Sequence, residues 1–223
     1  MRALAELDVL IVDCQATGAS PAFGRVLELG WAIQRAGESS LSGANAQWIA
    51  LPEGHRVPPQ VRKITGYEPR FAAEAITDGE AWARLRRDAN AAPAMPTAIH
   101  YARFELAFLR EWAARFEPEA PFPFDTLCVH AIARRLYPEL PRQSIRALAG
   151  YLGFSLELER RSLGHVEATG FVWRKLRDEL VGRGVATWED VPRFLAERAA
   201  EPRPRPKKSK YPLAAERYRS LPD

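Results

Sequence analysis

Cysteine is scarce in this chain: Cys14 and Cys128 are the only two in 223 residues. Two cysteines do not make the disulfide framework of a small secreted scaffold, so a reducing, cytoplasmic setting is the expectation. Long apolar runs are also missing. None reaches the roughly 18 residues that a membrane-spanning helix needs, and no membrane partner is expected. The first segment, MRALAELDVL, runs straight into an apolar strand. It lacks the long apolar stretch and small-residue cleavage site of a signal peptide. No internal repeat is visible. The body of the chain also lacks any charge excess. Residues 200–223 hold seven Lys/Arg and three acids, which leaves 25 basic and 25 acidic residues in 1–199.

What is present suits a folded domain with an appendage. The chain is 47% hydrophobic, with 6 Trp and 10 Phe, ample for a core. We expect a domain over 1–199 and a basic Pro/Lys-rich tail over 200–223, where EPRPRPKKSKYP can build neither helix nor core. Arg203, Arg205, Lys207, Lys208 and Lys210 in that tail are candidate phosphate-binding residues.

Periodicity gives the elements. Leu7–Val12, Arg25–Gln34 and Ala46–Leu51 read as strands, with the turn cluster GASPAFG between the first two. VPPQVRKITG reads as a short helix entered through proline and closed by Gly66. DGEAWARLRRDAN is helical from Gly79. PTAIH is a short buried strand leading into the helix ARFELAFLREWAARF, whose Phe104, Phe108, Leu109 and Trp112 recur at helical spacing and mark a core face. PFPFDTLCVHAIARRLYP is a strand stub running into a helix, and SIRALAGYLGF is helical. HVEATGFVWRKLRDELV is a long amphipathic helix ended by Gly182. A last helix begins in TWEDVPRFLAERAA, with Thr187 and Asp190 as a capping box. Strands first, then strands mixed with helices, predict an α/β fold with a mixed central sheet.

Several segments taken together resemble the DEDDh exonucleases, the family of the proofreading subunit of bacterial replicative polymerase. The first family motif, Asp-x-Glu-Thr-Thr-Gly at the end of the first strand, reads DCQATG here, from Asp13. The second, His-Asn-Ala-x-Phe-Asp at a strand end entering a helix, reads HYARFE, His100 to Glu105. An Asp-Thr-Leu that opens the next helix in the family is matched at Asp125. In the third motif a His stands five residues ahead of an Asp. Here RRSLGHVEATG puts Arg160 at the His position and His165 at the Asp position. The resemblance spans roughly residues 7–181 and implies an RNase H-like fold, nucleic acid as partner, and Asp13, Gln15, Glu105, Arg160 and His165 as the catalytic positions. Thr17, His100 and Arg160 are the cleft positions expected to meet nucleic acid.

Four of those five catalytic positions differ from the motif, and the differences have a chemical direction. Two-metal phosphodiester cleavage uses carboxylates to hold two divalent ions, and Mg²⁺ prefers charged oxygen ligands. Of four family carboxylates only Asp13 and Glu105 remain, a weak pair of metal ligands. Gln15 is a neutral isostere of glutamate. His165 offers nitrogen, which Mg²⁺ disfavours. Arg160 does not deprotonate at ordinary pH and so cannot act as a general base. No cofactor is therefore expected, and Mg²⁺ or Mn²⁺ only if the site is active. An Arg–His pair over one or two acids could instead grip a phosphate, or could pair with Asp13 and Glu105 as a polar plug.

Other residues carry plainer expectations. His100 reads as a satisfied strand-end histidine, His130 as a surface or core histidine, Cys128 as buried and inert, and Cys14 as core-facing. Glu28 falls where the family has a structural acid. The last residues, YPLAAERYRSLPD, resemble the lead-in to GIY-YIG nuclease domains, which are fused to exonuclease-like domains in relatives of excision-repair endonucleases. A fused GIY-YIG domain or another protein partner is expected on that basis. The expected function is a degenerate exonuclease homologue that binds nucleic acid. The alternatives are an active exonuclease with a rewired site using Asp13, Glu105 and His165 with Mn²⁺ or another softer ion, and an interaction domain without nucleic-acid contact.

Overall fold

A computed structural model describes residues 1–89, 95–154 and 161–197. The apolar run near the N-terminus forms β1 (Val9–Ala16), which is buried along nearly its whole length. A strand buried on both faces belongs at the centre of a sheet, and β1 lies there. The order is β3-β2-β1-β4-β5, with β2 Val26–Gln34, β3 Leu41–Trp48, β4 Met95–Ile99 and β5 Phe124–Cys128. β1 to β3 run antiparallel through hairpins, whereas β4 and β5 add parallel to β1. The mixed α/β sheet expected from the sequence is the one observed.

Helices cover both faces. The apolar residues of β1 alternate, as the period of a strand requires. Val9 and Ile11 enter one core with Val166, Trp173 and Leu176 of α6 (Ser162–Gly182), and with residues of α4 (Val129–Leu136), α5 (Ile145–Tyr151) and α7 (Asp190–Ala196). Leu10, Val12 and Cys14 enter the other core, with Trp82 and Leu85 of α2 (Asp78–Ala89) and Phe108, Leu109 and Trp112 of α3 (Ala102–Phe116). The aromatics of ARFELAFLREWAARF are thus core, as their spacing indicates. A third, smaller cluster joins Leu27, Trp48 and Val57 beside α1 (Pro59–Thr65).

One contact fixes how α6 meets the sheet. A Cβ placed on Gly30 would lie 2.8 Å from the Ser162 Cβ. Only glycine in β2 lets the first turn of α6 come this close. Glu28, two residues earlier on the same strand, is fully buried and accepts the Ser162 backbone N–H at 2.9 Å.

The structure corrects several boundaries. The third strand starts at Leu41, not Ala46, and Ile49 makes only an isolated bridge to Ile76. LSGANAQW is a half-exposed edge strand held by its pairing with β2, so hydrophobic alternation does not mark it. Asp125 and Thr126 lie within β5, and the helix opens only at Val129. Gly182 is the last residue of α6, and the left-handed turn falls at Gly184, φ 84°. Thr187 gives its hydroxyl to the Asp190 carboxylate, and α7 has no side-chain cap, so the expected capping box is not formed. Gly66 does close α1 as expected, at φ 72°, with its N–H on the Arg62 carbonyl.

Candidate functional site

The topology brings the quoted motifs to one end of the sheet. Val12 of β1 pairs in parallel register with Ile99 of β4. The chain therefore leaves both strands side by side, with Asp13 and Gln15 at the end of β1 and His100 just past β4. Glu105 follows in the first turn of α3. α6 enters over the same edge and carries His165 one turn from its start. Asp13, Gln15, His100 and Glu105 are all buried polar residues, and Asp13 and Gln15 are each 8% exposed.

At this end of the sheet Asp13 and His165 form a pair, His165 Nδ1 to Asp13 Oδ1 at 3.4 Å. Burial works against a charged imidazole here, but the Asp13 charge and hydrogen bond outweigh it and hold His165 above its ordinary value. Glu105 lies against Asp13. Burial first, and then the Asp13 charge, push its carboxyl up to about 9, so it keeps its proton at neutral pH. Asp13 Oδ2 and Glu105 Oε2 are both buried without a hydrogen-bond partner among the described residues. His100 is held down to about 4, chiefly by burial and then by the neighbouring His130. It is neutral and places Nε2 3.0 Å from the Gln143 carbonyl. Its Nδ1 has no partner among the described residues, so the strand-end histidine is satisfied at one nitrogen only.

Around the cleft the other expected positions have specific work. Thr17 is buried and its hydroxyl is occupied: it accepts the Arg25 backbone N–H at 2.9 Å and lies 2.8 Å from His55 Nε2. This closes the β1–β2 loop and ties it to the segment after β3. Cys14 is buried, and burial raises its thiol well above the ordinary range, leaving it inert. Cys128 is half-buried rather than buried, with its thiol 3.5 Å from the His100 carbonyl. Arg160 and the tail residues Arg203, Arg205, Lys207, Lys208 and Lys210 lie outside the described residues.

Two groups escaped the sequence reading. Arg161, next to the motif position, forms the ion pair that holds Glu28, Nε to Oε1 at 2.5 Å, and stacks its guanidinium 4.3 Å from the Trp48 ring centroid. Glu28 is raised by burial, against the pull of the Ser162 N–H and Arg161. The repeated arginine in ERRSLG was the available signal, but its partners lie more than 100 residues away in sequence. The second group is the ring contact of His130 with Tyr101, 4.9 Å between centroids, and with His100, 5.7 Å.

The residues present do not reproduce a four-carboxylate donor set. Asp13 and Glu105 are the two acids of the motif positions, Asp13 is turned to His165, and burial and the Asp13 charge push the Glu105 carboxyl upward. Among the described residues no group of three or more His, Cys, Asp or Glu side chains could hold a metal ion. Among them, too, no helix is long and apolar enough to cross a membrane.

No protein-family model matches the chain. Over 208 residues, 92% of its length, it is 26% identical to a DNA polymerase III PolC-type of Oceanobacillus iheyensis, of which it spans 14%. Its fold is similar to that of E. coli Exonuclease I solved in complex with a dT13 oligonucleotide, with TM-score 0.69, 17% identity, and coverage of 80% of this chain and 43% of that one. The zinc-bound form of an E. coli ExoI–ssDNA complex gives TM-score 0.65 at 17% identity, covering 79% and 43%. The chain thus spans less than half the length of these relatives. It resembles the DEDD-type exonucleases and has their RNase H-like fold.

Proposed function

We propose that this exonuclease-fold domain binds nucleic acid in the cleft at the end of β1 and β4 and is a degenerate relative of the DEDDh 3′–5′ exonucleases, without their two-metal cleavage. One observation carries the reading. Where the motif would set four carboxylates, only Asp13 and Glu105 are acids, Gln15 and His165 stand at the other two positions, and His165 Nδ1 lies 3.4 Å from Asp13 Oδ1, so the site offers half the charged oxygen ligands that two divalent ions call for. The donor set does not fit a pair of Mg²⁺ ions, and we derive no step through them. The same arrangement suits a phosphate. His165 is held toward its charged form, and Arg146 lies close enough to act on it electrostatically. Cationic groups such as these favour an anion. The similarity to Exonuclease I complexes with oligonucleotides supports nucleic acid as the anion's source. The basic tail, Arg203 to Lys210, adds a sequence-independent electrostatic contribution in this reading.

Titration calorimetry of the full chain against Mg²⁺ and Mn²⁺, with labelled single- and double-stranded DNA and RNA as substrates, tests it. We expect no two-site metal binding and intact strands. Two-site binding that disappears in Asp13→Ala would overturn the reading.

A second reading rests on the two orphaned oxygens, Asp13 Oδ2 and Glu105 Oε2, which a single softer cation could share with His165. It requires strand degradation with Mn²⁺ that Asp13→Ala abolishes. If no strand binds at all, a protein-docking role becomes the better account. Restoring Gln15→Glu alone should not create activity, because Arg160 and His165 would remain.

A further inference from the structure

We infer that Tyr101, backed by His130, is a stacking contact for a nucleobase of the bound strand beside the motif residues at this end of the sheet. The inference rests on the nucleic-acid reading above and deepens it. Three rings run in series from buried to exposed, His100, His130 and Tyr101. His100 is at the bottom, where both Asp13 and His165 act on it. His130 stands edge-on to His100, interplanar angle 89°. Its backbone N–H donates to the His100 carbonyl at 2.9 Å, so the two residues are fixed to each other. Tyr101 completes the series against His130 and is 52% exposed. Tyr101 is thus a large aromatic left half in solvent beside buried polar residues.

The setting matches a base with its phosphates. His130 is lowered by burial and then by Arg134, so at neutral pH it meets a base as an uncharged ring. Arg134 and Arg103 are both exposed, one turn beyond His130 and two residues beyond Tyr101 respectively. Neither is in an ion pair among the described residues. Aromatic faces beside arginines are how proteins hold single strands without reading sequence, because every base has a π-face. A duplex keeps its bases paired and stacked, and presenting an internal one to Tyr101 costs unstacking energy.

The experiment uses the full chain at about 0.3 M salt, where the tail's electrostatic contribution is weakened. Binding of a fluorescent single-stranded dT oligonucleotide and of a blunt duplex of the same length is followed by anisotropy. Quenching of a 2-aminopurine placed at the strand end reports stacking directly. Tyr101→Ala should weaken single-strand binding roughly five- to a hundredfold, in line with the loss of one base–aromatic stack. It should also relieve the quenching. Tyr101→Phe should restore both, and duplex binding should change less than about twofold. If Tyr101→Ala binds the single strand as the wild type does, with quenching intact, the platform is wrong while the nucleic-acid reading stands. Failure of the wild-type chain to bind any strand overturns both.

Discussion

Glu105→Gln separates the charge state of the cleft from its shape. The folded carboxyl titrates at about 9 and its ordinary value is 4.5. Between these two values the unfolded chain has lost a proton that the folded chain keeps. Folding therefore takes up a proton, and stability falls as pH rises. The slope for one group is about 1.4 kcal/mol per pH unit, so from pH 6 to pH 8, inside the window, the group removes about 3 kcal/mol. Glutamine has the same shape and nothing to titrate. His165 also loses stabilising charge as pH rises: held above its ordinary value, it contributes fully below about 6.5 and fades as pH passes its folded value. It is present in both proteins and largely cancels in the comparison. Urea unfolding followed by tryptophan fluorescence at pH 6 and pH 8 gives the four free energies needed. The wild type should lose about 3 kcal/mol more than the variant across the interval, and the variant should be the more stable protein at pH 8. Parallel pH profiles would mean that Glu105 is ionised when folded and available to a divalent ion.

Three further outcomes follow from the geometry. Glu28→Gln should destabilise the fold by about 1–2 kcal/mol in denaturant melts, because it removes the charge from a fully buried hydrogen-bond acceptor while Arg161 keeps some access to water. Gly30→Ala should cost about 1–3 kcal/mol, since its methyl meets Ser162 at 2.8 Å and neither backbone can withdraw freely; a cost near zero would show that α6 slides. Ending the chain at Ala200 should flatten the salt dependence of oligonucleotide binding measured by anisotropy, and an unchanged slope would make the tail a linker only.

Much of the frame was legible because it obeys simple periods. The apolar run before Asp13 is a central strand, and the helical spacing of Phe104, Phe108, Leu109 and Trp112 is a core face. β3 was misplaced because Ser42 to Gln47 are small or polar and are held by ladder hydrogen bonds, which leave little trace in composition. The Asp13–His165 pair could be anticipated from the motif resemblance, since it joins two expected site positions. Arg161 on Glu28 and Tyr101 on His130 could not. Each contact is set by where α6 and α4 land on the sheet, and a single sequence does not record that landing point.

The tie from Glu28 to the start of α6 has an evolutionary consequence. It fixes the helix that carries His165 through Ser162, Arg161 and the Gly30 contact, none of which uses Asp13 or Glu105. A lineage can therefore exchange its cleft residues one at a time without losing the register of the helix that presents them. Drift in the chemistry is decoupled from drift in the architecture, and a selected change at residue 165 would arrive at an address already held in place.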